Sequence, residues 1–467
     1  MDLTPTDAVR DEMRLTGAAI ELRSLLQKER YAQLYRHVAY DGLFAPDRDA
    51  ARRVVATFAA RERCMLELFA LGVPSIPPGC DRDLSLVIEA LISAGMVTSA
   101  ATDARVSTSG WVVVPALNGL VATGLPPLYD ARDGIGAAAY IGDDSLMLAR
   151  ALGRVAGRRV LDLGCGCGVQ GVLAATGASE AVLTDVDEVS VRFSRFNAAL
   201  NGATHPISVK VGDLFEPVAG ERFDDIVVLP PYLPSVPGSA TTLTVDGGPD
   251  GLVFIRRLLG GVASHLEPDG QFLAICQLLC DDDGPILLRE LETLCPELEV
   301  RMSVTNWHPT QPYALELARK LADHGADEEL GTLLDRYLSS LRALGVTGAC
   351  TADIRARHSA SAHPRRQLVG RAPVLRPVDV LCLRDDAVLP RDNAGALLVS
   401  GSATGVVDCA TLDLLRALDG RATIDEAARS AWGAAFLPER AGDLVDQAIE
   451  RILPFETSGL VGKVRTS

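Results

Sequence analysis

A closely spaced run of glycines follows a short apolar segment near residue 160 of the 467-residue chain. Glycine at these positions permits positive φ and leaves the main chain bare, so a ligand can approach it closely. The run consists of Gly164, Cys165, Gly166, Cys167 and Gly168. Continued to Gly171, it also satisfies the GxGxxG pattern of nicotinamide- and flavin-binding proteins, and that pattern alone is a weak signal. It therefore predicts a nucleotide-type ligand without naming it.

Two acidic residues follow at the predicted ends of the next two strands. Asp185 comes about twenty residues after the glycines, where a carboxylate can accept both hydroxyls of a ribose, as it also does in dinucleotide enzymes. Asp213 ends the third predicted strand, where its carboxylate can accept the exocyclic amine of adenine beside the apolar Leu214. These positions predict an adenosine-binding edge.

The fourth predicted strand ends in Leu229, followed by the rigid segment Pro230-Pro231-Tyr232. Prolines fix the main chain, so the carbonyl groups of this lip cannot swing away from a reacting methyl group. A hydride-transferring dehydrogenase has no need of such a lip. The combination therefore favours S-adenosylmethionine over nicotinamide, with S-adenosylhomocysteine as product. The predicted cofactor-binding residues are Tyr140, Asp162, Gly164, Cys165, Gly166, Gly168, Asp185, Val186, Asp213, Leu214, Leu229 and Pro230.

Short apolar runs alternate with amphipathic helices from residue 136 to about 320, a pattern typical of βαβ units around a parallel sheet. The predicted strands are 159–163, 181–184, 207–211, 225–229 and 271–275. The helix after the second strand is predicted to begin at the N-cap Asp187 and to end at Gly202. The predicted fold class is α/β, a Rossmann-like doubly wound core with helical, winged-helix-like accessory domains on both sides.

Three domains follow from this pattern. Residues 1–135 are predicted to be helical with winged-helix character, including a helix capped by Asp83 and a strand over residues 111–114. Residues 136–320 form the cofactor-binding core, and residues 321–467 form a C-terminal accessory domain. In the last part, the arginine-rich stretch 352–376 is interpreted as a solvated linker, with an anion-binding loop as the alternative. A capping box, Thr423 to Glu426, starts a small helical module there.

Residues 140 to about 310 resemble the HemK-type protein glutamine N5-methyltransferases and the related N6-adenine methyltransferases. The segments that carry the resemblance are 160–166 (VLDLGCG), Asp185, 195–198 (RFNA), 212–216 (GDLFE) and 246–252 (DGGPDGL). The resemblance implies a class I methyltransferase fold, S-adenosylmethionine as cofactor and an adenine contact at 212–216. Where the family has Asn-Pro-Pro-Tyr, this chain has Leu229. Leucine cannot hydrogen-bond a planar nitrogen, which puts a glutamine or adenine acceptor in doubt. A short segment, 414–427, also resembles PqqD-like peptide-recognition modules.

Few residues need be catalytic, because displacement at a sulfonium methyl depends mainly on positioning and desolvation. Tyr232 is the predicted wall of the substrate pocket, with a purely structural tyrosine as the alternative. His308 is the leading candidate for a general base, although a lone histidine is more often structural. Tyr140 occupies the place of the segment that covers the cofactor in the related enzymes.

The net charge of −16 opposes binding to nucleic acid or an anionic membrane. The first twenty residues have neither a signal peptide nor a membrane span, so a cytoplasmic location is expected. Ten cysteines lack a metal-ligand spacing, and they are expected to be reduced, mostly buried and free of metal. The predicted function is methyl transfer to a peptide, a protein or a specialised metabolite. A nucleic-acid methyltransferase and a catalytically silent cofactor- or peptide-binding scaffold remain alternatives, and a homodimer is left open.

Overall fold

The computed structural model describes residues 7–369 except 40–42, 46, 101–103, 118, 126–139, 154, 203–205, 237–244, 324–327 and 362–363. Beyond residue 369 it describes residues 380–383, 391–392, 395–400, 403–407, 419–423, 426, 429 and 461–463. Among these residues, no helix combines the length and the apolar character needed to cross a membrane.

The N-terminal part packs five helices against two antiparallel hairpins. The helices are α1 (Asp7–Lys28), α2 (Tyr31–Tyr35), α3 (Arg48–Val55), α4 (Ala60–Phe69) and α5 (Arg82–Ser93). The hairpins pair β1 (Thr98–Ser99) with β2 (Val106–Ser107), and β3 (Trp111–Ala116) with β4 (Gly119–Gly124). The strand predicted at 111–114 is therefore confirmed. Trp111 is fully buried at the centre of this part.

The N-cap predicted for α5 is wrong by two residues. Asp81, in an extended conformation, accepts a hydrogen bond from the main-chain N–H of Leu84 at 3.0 Å. Asp83 lies within the first turn and forms an ion pair with Lys28 of α1 at 2.6 Å. Two acids stood near the start of the apolar pattern, and only main-chain conformation decides which one caps the helix.

The central part is a mixed sheet flanked by helices, which confirms the α/β class. Its strands are β5 (Arg159–Leu163), β6 (Glu180–Asp185), β7 (Ile207–Val211), β8 (Phe223–Val228), β9 (Leu266–Asp281), β10 (Gly284–Pro285), β11 (Leu298–Pro309), β12 (Gly348–His358) and β13 (Arg366–Val369). The helices are α6 (Asp143–Leu152), α7 (Val169–Ala174), α8 (Glu188–Asn201), α9 (Val253–His265), α10 (Leu291–Leu294), α11 (Thr310–Asp323) and α12 (Leu330–Ala343).

The strands lie in the order β7-β6-β5-β8-β9-β12-β11-β13, with β10 paired to β9. Strands β5 to β9 are parallel, whereas β12 is antiparallel to both of its neighbours, β9 and β11. Strand order reverses between β5 and β8, because the chain leaves β5 towards β7 and returns on the other side. In open α/β sheets, ligands bind at such a switch point, beyond the carboxyl ends of the strands.

Both predicted ends of α8 are confirmed. The side chain of Asp187 accepts a hydrogen bond from the main-chain N–H of Ser190 at 2.8 Å, and Gly202 ends the helix with φ +61°. One face of α8 packs against the N-terminal part, with Phe193 and Phe196 fully buried near Trp111. The N-terminal part therefore shares a hydrophobic core with α8 and the start of α7.

The sheet extends past residue 320, the predicted end of the core. Strand β12 supplies Ala352, Ile354 and Ala356 to the core, while the intervening Arg355 and Arg357 form ion pairs with Asp353 and Glu299. The interpretation of residues 352–358 as part of a linker is therefore wrong. The alternation of small apolar residues with arginines is the period-two pattern of a strand, and the arginines obscured it.

The C-terminal part is described only in short segments. They are β14 (Val380–Leu383), β15 (Arg391–Asp392), β16 (Gly395–Ser400), β17 (Ala403–Val407), β18 (Asp419–Thr423) and β19 (Val461–Lys463), which form two three-stranded sheets. The predicted capping box is confirmed, because Thr423 and Glu426 exchange hydrogen bonds between side chain and main chain at 2.8 and 3.2 Å. Most of the PqqD-like segment lies outside the described residues.

Candidate functional site

The glycine turn lies at the switch point, immediately after β5. Gly164, Gly166 and Gly168 all have positive φ, +60°, +54° and +76°. A Cβ added to Gly164 would meet no protein atom within 4 Å. The main chain at Gly164 therefore faces open space, as a ligand-binding turn requires.

The later glycines serve packing within the protein. A Cβ on Gly168 would come within 2.6 Å of the Ser194 Oγ, and one on Gly171 would come within 2.7 Å of Leu183. These two glycines let α7 approach β6 and α8 closely. Helix packing thus explains the glycines in the second half of the motif. Only the beginning of the turn, at Gly164, faces the space for a ligand.

Three side chains from neighbouring elements hold the turn. The carboxylate of Asp185 accepts a hydrogen bond from the Gly166 N–H at 2.8 Å, and Ser194 donates to the Gly166 carbonyl at 2.9 Å. Asn197 donates to the Cys167 carbonyl at 2.8 Å. Ser194 and Asn197 are three residues apart on α8 and so share a face. Neither was among the predicted site residues; the RFNA segment was the only signal for Asn197.

Asn197 also joins the turn to the N-terminal part. Its amide accepts the Ala122 N–H at 2.7 Å and donates to the Ala122 carbonyl at 2.8 Å, so it pairs with β4 as a neighbouring strand would. One turn later, Asn201 bonds the N–H and carbonyl of Leu120 in the same way, at 2.9 and 2.7 Å. Asn197 is fully buried with all of these groups satisfied. Strand β4 and the glycine turn are therefore positioned together.

Two acids lie under the turn. Asp185 ends β6 next to the half-exposed Val186, and its second oxygen accepts the Asp187 N–H at 2.9 Å. Burial raises the pKa of Asp185, although hydrogen bonds from Asp187 and Gly166 oppose the rise. Asp162 is 2% exposed and accepts the Gly171 N–H at 2.8 Å, and burial raises its pKa to about 7. Asp162 thus faces the start of α7, whereas Asp185 supports the turn itself.

Asp213 and Leu214 follow β7 on the same edge of the sheet. The Asp213 carboxylate lies 2.6 Å from the guanidinium of Arg257 on α9, and 39% of its side chain is exposed. Leu214 has φ +49° and packs at the margin of the main core cluster. An adenine bound here would share Asp213 with Arg257, a residue 44 positions later whose contact cannot be predicted from sequence order.

The cysteines of the turn direct their thiols into the protein, where the Cys165 Sγ lies 3.3 Å from the Ser194 Oγ. Cys165 and Cys167 are buried, with side chains that pack into two hydrophobic clusters. Burial raises the pKa of Cys165 well above its ordinary value and that of Cys167 to about 12, so both thiols are protonated at neutral pH. Among the described residues, no group of His, Cys, Asp or Glu side chains could hold a metal ion.

The Pro-Pro-Tyr lip follows β8 on the other side of the switch point. Leu229 packs against the apolar cluster that contains Leu148 of α6 and Val227, and Pro230 is buried. The loop with the DGGPDGL segment fixes the far end of the lip, because Gly247 donates to the Leu233 carbonyl at 2.9 Å. At Gly251, a Cβ would come within 2.4 Å of the Tyr232 carbonyl oxygen. The loop is therefore packed closely against the far end of the lip.

The hydroxyl of Tyr232 donates to the carboxylate of Asp144 at 2.9 Å. Asp144 lies in the first turn of α6, where its other oxygen accepts the Ser145 N–H at 2.8 Å. Gln170, at the start of α7, donates to the Ser145 carbonyl at 3.3 Å. Asp144 therefore lies between the glycine turn and the lip. The sequence indicated only a helix cap here, because 88 residues separate Asp144 from Tyr232.

Tyr140 lies three residues before the start of α6 and is half-buried. Burial, and secondarily the charge of Asp144, raise the pKa of Tyr140. For Tyr232 the same two causes, in the same order, raise the pKa well above its ordinary value. The next residue, Ile141, donates its N–H to the Thr123 hydroxyl of β4 at 3.0 Å. The N-terminal hairpin thus also anchors the segment that carries Tyr140.

His308 lies near the end of β11, three strands away from β8 in the sheet order, and the register places it five residues beyond the level of Val228. With strands about 4.8 Å apart and about 3.3 Å per residue, its Cα lies roughly 20 Å from that of Val228. Sequence order could not reveal this offset, because β12 is inserted between β9 and β11. The role of His308 as a general base stays a prediction.

The residues present fit an adenosyl cofactor. The open space beside Gly164 admits a group against bare main chain, and Asp185 retains lone pairs beyond the two N–H groups that it accepts. Val186 follows the end of β6 and Leu214 follows the end of β7, and both offer apolar contact. The predicted cofactor residues thus lie along one edge of the sheet, except for Asp162, whose carboxylate faces α7, and Leu229, whose side chain faces the core.

Residues 131–278 match the sequence profile of the methyltransferase small domain family. The ribosomal protein uL3 glutamine methyltransferase of Bradyrhizobium diazoefficiens is 34% identical over 130 residues, 26% of this chain and 40% of that protein. A putative protein N5-glutamine methyltransferase of Methanocaldococcus jannaschii is 34% identical over 133 residues, 27% of this chain and 66% of that protein. The release factor glutamine methyltransferase of Gloeobacter violaceus is 32% identical over 126 residues, 25% of this chain and 44% of that protein.

The chain thus spans about two fifths to two thirds of the length of these relatives. The matched region holds the glycine turn, the lip and strands β5 to β8, together with most of β9. The resemblance seen in the sequence motifs is confirmed. Residues 131–278 therefore carry a methyltransferase small domain, and this part of the chain is similar to the HemK-like methyltransferases.

Proposed function

We propose that the protein transfers a methyl group from S-adenosylmethionine to a polypeptide acceptor. The observation that carries this proposal is the geometry of the glycine turn. It opens at the switch point of the sheet with Gly164 facing empty space, and Asp185 lies at the end of the adjacent strand. Bare main chain beside a ribose-accepting carboxylate is the arrangement that an adenosyl group requires.

The cofactor, when bound, supplies a methyl group on a positively charged sulfur. The residues of this chain bind and orient it. The turn 164–168 would hold its chain end, Asp185 its ribose, and Asp213, Val186 and Leu214 its adenine. The rigid lip at Pro230 would keep the acceptor in line with the methyl group. Positioning and exclusion of water by these groups supply most of the acceleration for such a displacement.

Two observations support a polypeptide rather than a nucleic acid as acceptor. The relatives are named for ribosomal protein and release factor substrates. In the basic stretch, Arg355 and Arg357 are engaged with Asp353 and Glu299, and Arg366 donates to the carbonyls of Pro364 and Cys295. Arginines already paired within the protein are poor phosphate ligands, because a phosphate would have to displace their partners.

The test is incubation of the full chain with methyl-labelled S-adenosylmethionine and a fractionated cell extract. We expect label in the polypeptide fraction and none in the nucleic acid. Label confined to nucleic acid or to small molecules would contradict the polypeptide assignment. Binding of the cofactor without transfer to any fraction would instead favour the silent scaffold.

A further inference from the structure

We propose that the methyl acceptor is an amine nitrogen of the polypeptide, a lysine side chain or an N-terminal amine, received by Asp144. This inference rests on the proposed function and adds the acceptor class. It starts from the lip, where the HemK-like pattern has an asparagine and this chain has Leu229.

The side chain of Leu229 does not reach for a substrate. It packs against the cluster of Leu148, Val227 and Leu273, which covers the back of the lip with apolar carbon. A planar amide nitrogen would find no side-chain partner at this position. Because an unpaired polar group is costly to bury, a neutral amide acceptor is disfavoured here.

The lip offers a negative charge in a different place. Asp144 accepts the Tyr232 hydroxyl at 2.9 Å and the Ser145 N–H at 2.8 Å, one bond on each oxygen. A carboxylate has about four lone-pair positions, so two remain for N–H donors. Gly142 leaves room for this carboxylate, because a Cβ there would lie 2.5 Å from the Asp144 Oδ1.

The surroundings of Asp144 favour a cation. The Tyr232 hydroxyl is hydrogen-bonded to Asp144, and the pKa of both Tyr232 and Tyr140 is raised by burial and secondarily by the charge of Asp144. Aromatic faces attract ammonium groups, and a carboxylate attracts them further. In contrast, a carboxylate acceptor would be repelled by Asp144. The three side chains therefore match an alkylammonium group that enters between the glycine turn and the lip.

The reaction balances with these groups alone. The ammonium gives one proton to the Asp144 carboxylate and becomes a neutral amine with a free lone pair. That lone pair forms the new N–C bond with the methyl carbon while the carbon–sulfur bond breaks and its electrons stay on sulfur. The product is a methylated ammonium and a neutral thioether, and Asp144 releases its proton to water.

The discriminating variants are Asp144→Asn and the matched control Asp143→Asn. Both residues lie in the first turn of α6 and both changes remove one negative charge, but Asp143 is exposed. We expect Asp144→Asn to slow labelling of the polypeptide fraction roughly 10- to 100-fold, the loss typical of one hydrogen bond to a charged group. Its rate should keep rising with pH towards the pKa of the free amine, about 10.4 for a lysine and about 7.7–8.0 for an N-terminal amine. Asp143→Asn should change neither the rate nor its pH profile.

The acceptor is identified on the same fraction after its amines are acetylated with acetic anhydride. We expect acetylation to abolish labelling, and label on untreated polypeptide to survive acid hydrolysis as an N-methylated amino acid. Labelling that resists acetylation, release of labelled methylamine on acid hydrolysis, or equal effects of the two variants would overturn the amine proposal. So would an unlabelled polypeptide fraction. A separate measurement, binding of S-adenosylhomocysteine to the wild-type protein, tests the proposed function itself. Absence of binding would show that the proposed function is wrong.

Discussion

Gly164 gives the sharpest test of the ligand-facing turn, because the same strand carries its control. Gly164 follows the last residue of β5 with φ +60°, and Gly157 precedes the strand with φ +72°. A Cβ at either position would meet no protein atom within 4 Å. Replacement by alanine should therefore cost the fold about the same at both sites, roughly 1–2 kcal/mol for left-handed backbone.

The two variants differ in what the new methyl group faces. At Gly164 it occupies the space assigned to the cofactor, and at Gly157 it faces solvent at the opposite end of the strand. Inserting a methyl group into a filled site costs about 1–3 kcal/mol, which is roughly 5- to 150-fold in affinity. We expect Gly164→Ala to weaken S-adenosylhomocysteine binding by this factor, while Gly157→Ala binds like the wild type.

The assay is isothermal calorimetry with S-adenosylhomocysteine, accompanied by urea unfolding of both variants to confirm equal stability. Equal affinities for the two variants, whether both are weakened or both unchanged, would refute the placement of the cofactor against Gly164.

Three further predictions concern the supports of the site. Asn197→Ala should destabilise the protein by at least about 2 kcal/mol in urea unfolding and also weaken cofactor binding, because it releases Cys167 of the turn as well as β4. The Asn201 side chain bonds only β4 and its own helix. Asn201→Ala should therefore destabilise the protein without weakening cofactor binding, and an equal loss of affinity in both variants would count against a separate role for Asn197. Because the folded-state pKa of Asp162 is raised to about 7, ionisation of this acid destabilises the fold as pH rises from about 4 to about 7. Relative to the wild type, the free energy of unfolding of Asp162→Asn should therefore rise by a few kcal/mol over this pH range. Parallel curves of stability against pH would contradict the raised pKa of Asp162. His308→Ala should leave the rate of methyl transfer within a few-fold, since two strands separate β11 from the strand that carries the lip; a loss of 100-fold or more would support His308 as a base.

The sheet and the cofactor edge could be predicted because their signals are local. Each parallel strand appears as a short apolar run, with Asp185 at the end of β6 and Asp213 two residues after the end of β7. Strand β9 is longer than predicted, and β12 was missed because its alternating arginines imitate a solvated stretch. In both strands, burial against residues that are distant in sequence determines the strand.

The supports of the site could not be predicted because their partners are distant in sequence. Asp144 meets Tyr232 across 88 residues, and Asn197 meets Ala122 across 75. In isolation, an acid in the first turn of a helix indicates a cap, and an asparagine within a helix indicates nothing specific. Strand β12 likewise separates His308 from the lip along the sheet, an offset that the order of the strands in the sequence does not show.

The measurement that bears most directly on the central claim is calorimetric titration of the full chain with S-adenosylmethionine and with S-adenosylhomocysteine. The account predicts saturable binding of both ligands at one site per chain, with no competition from nicotinamide dinucleotides. Absence of heat with both ligands, or displacement by a nicotinamide dinucleotide, would contradict it.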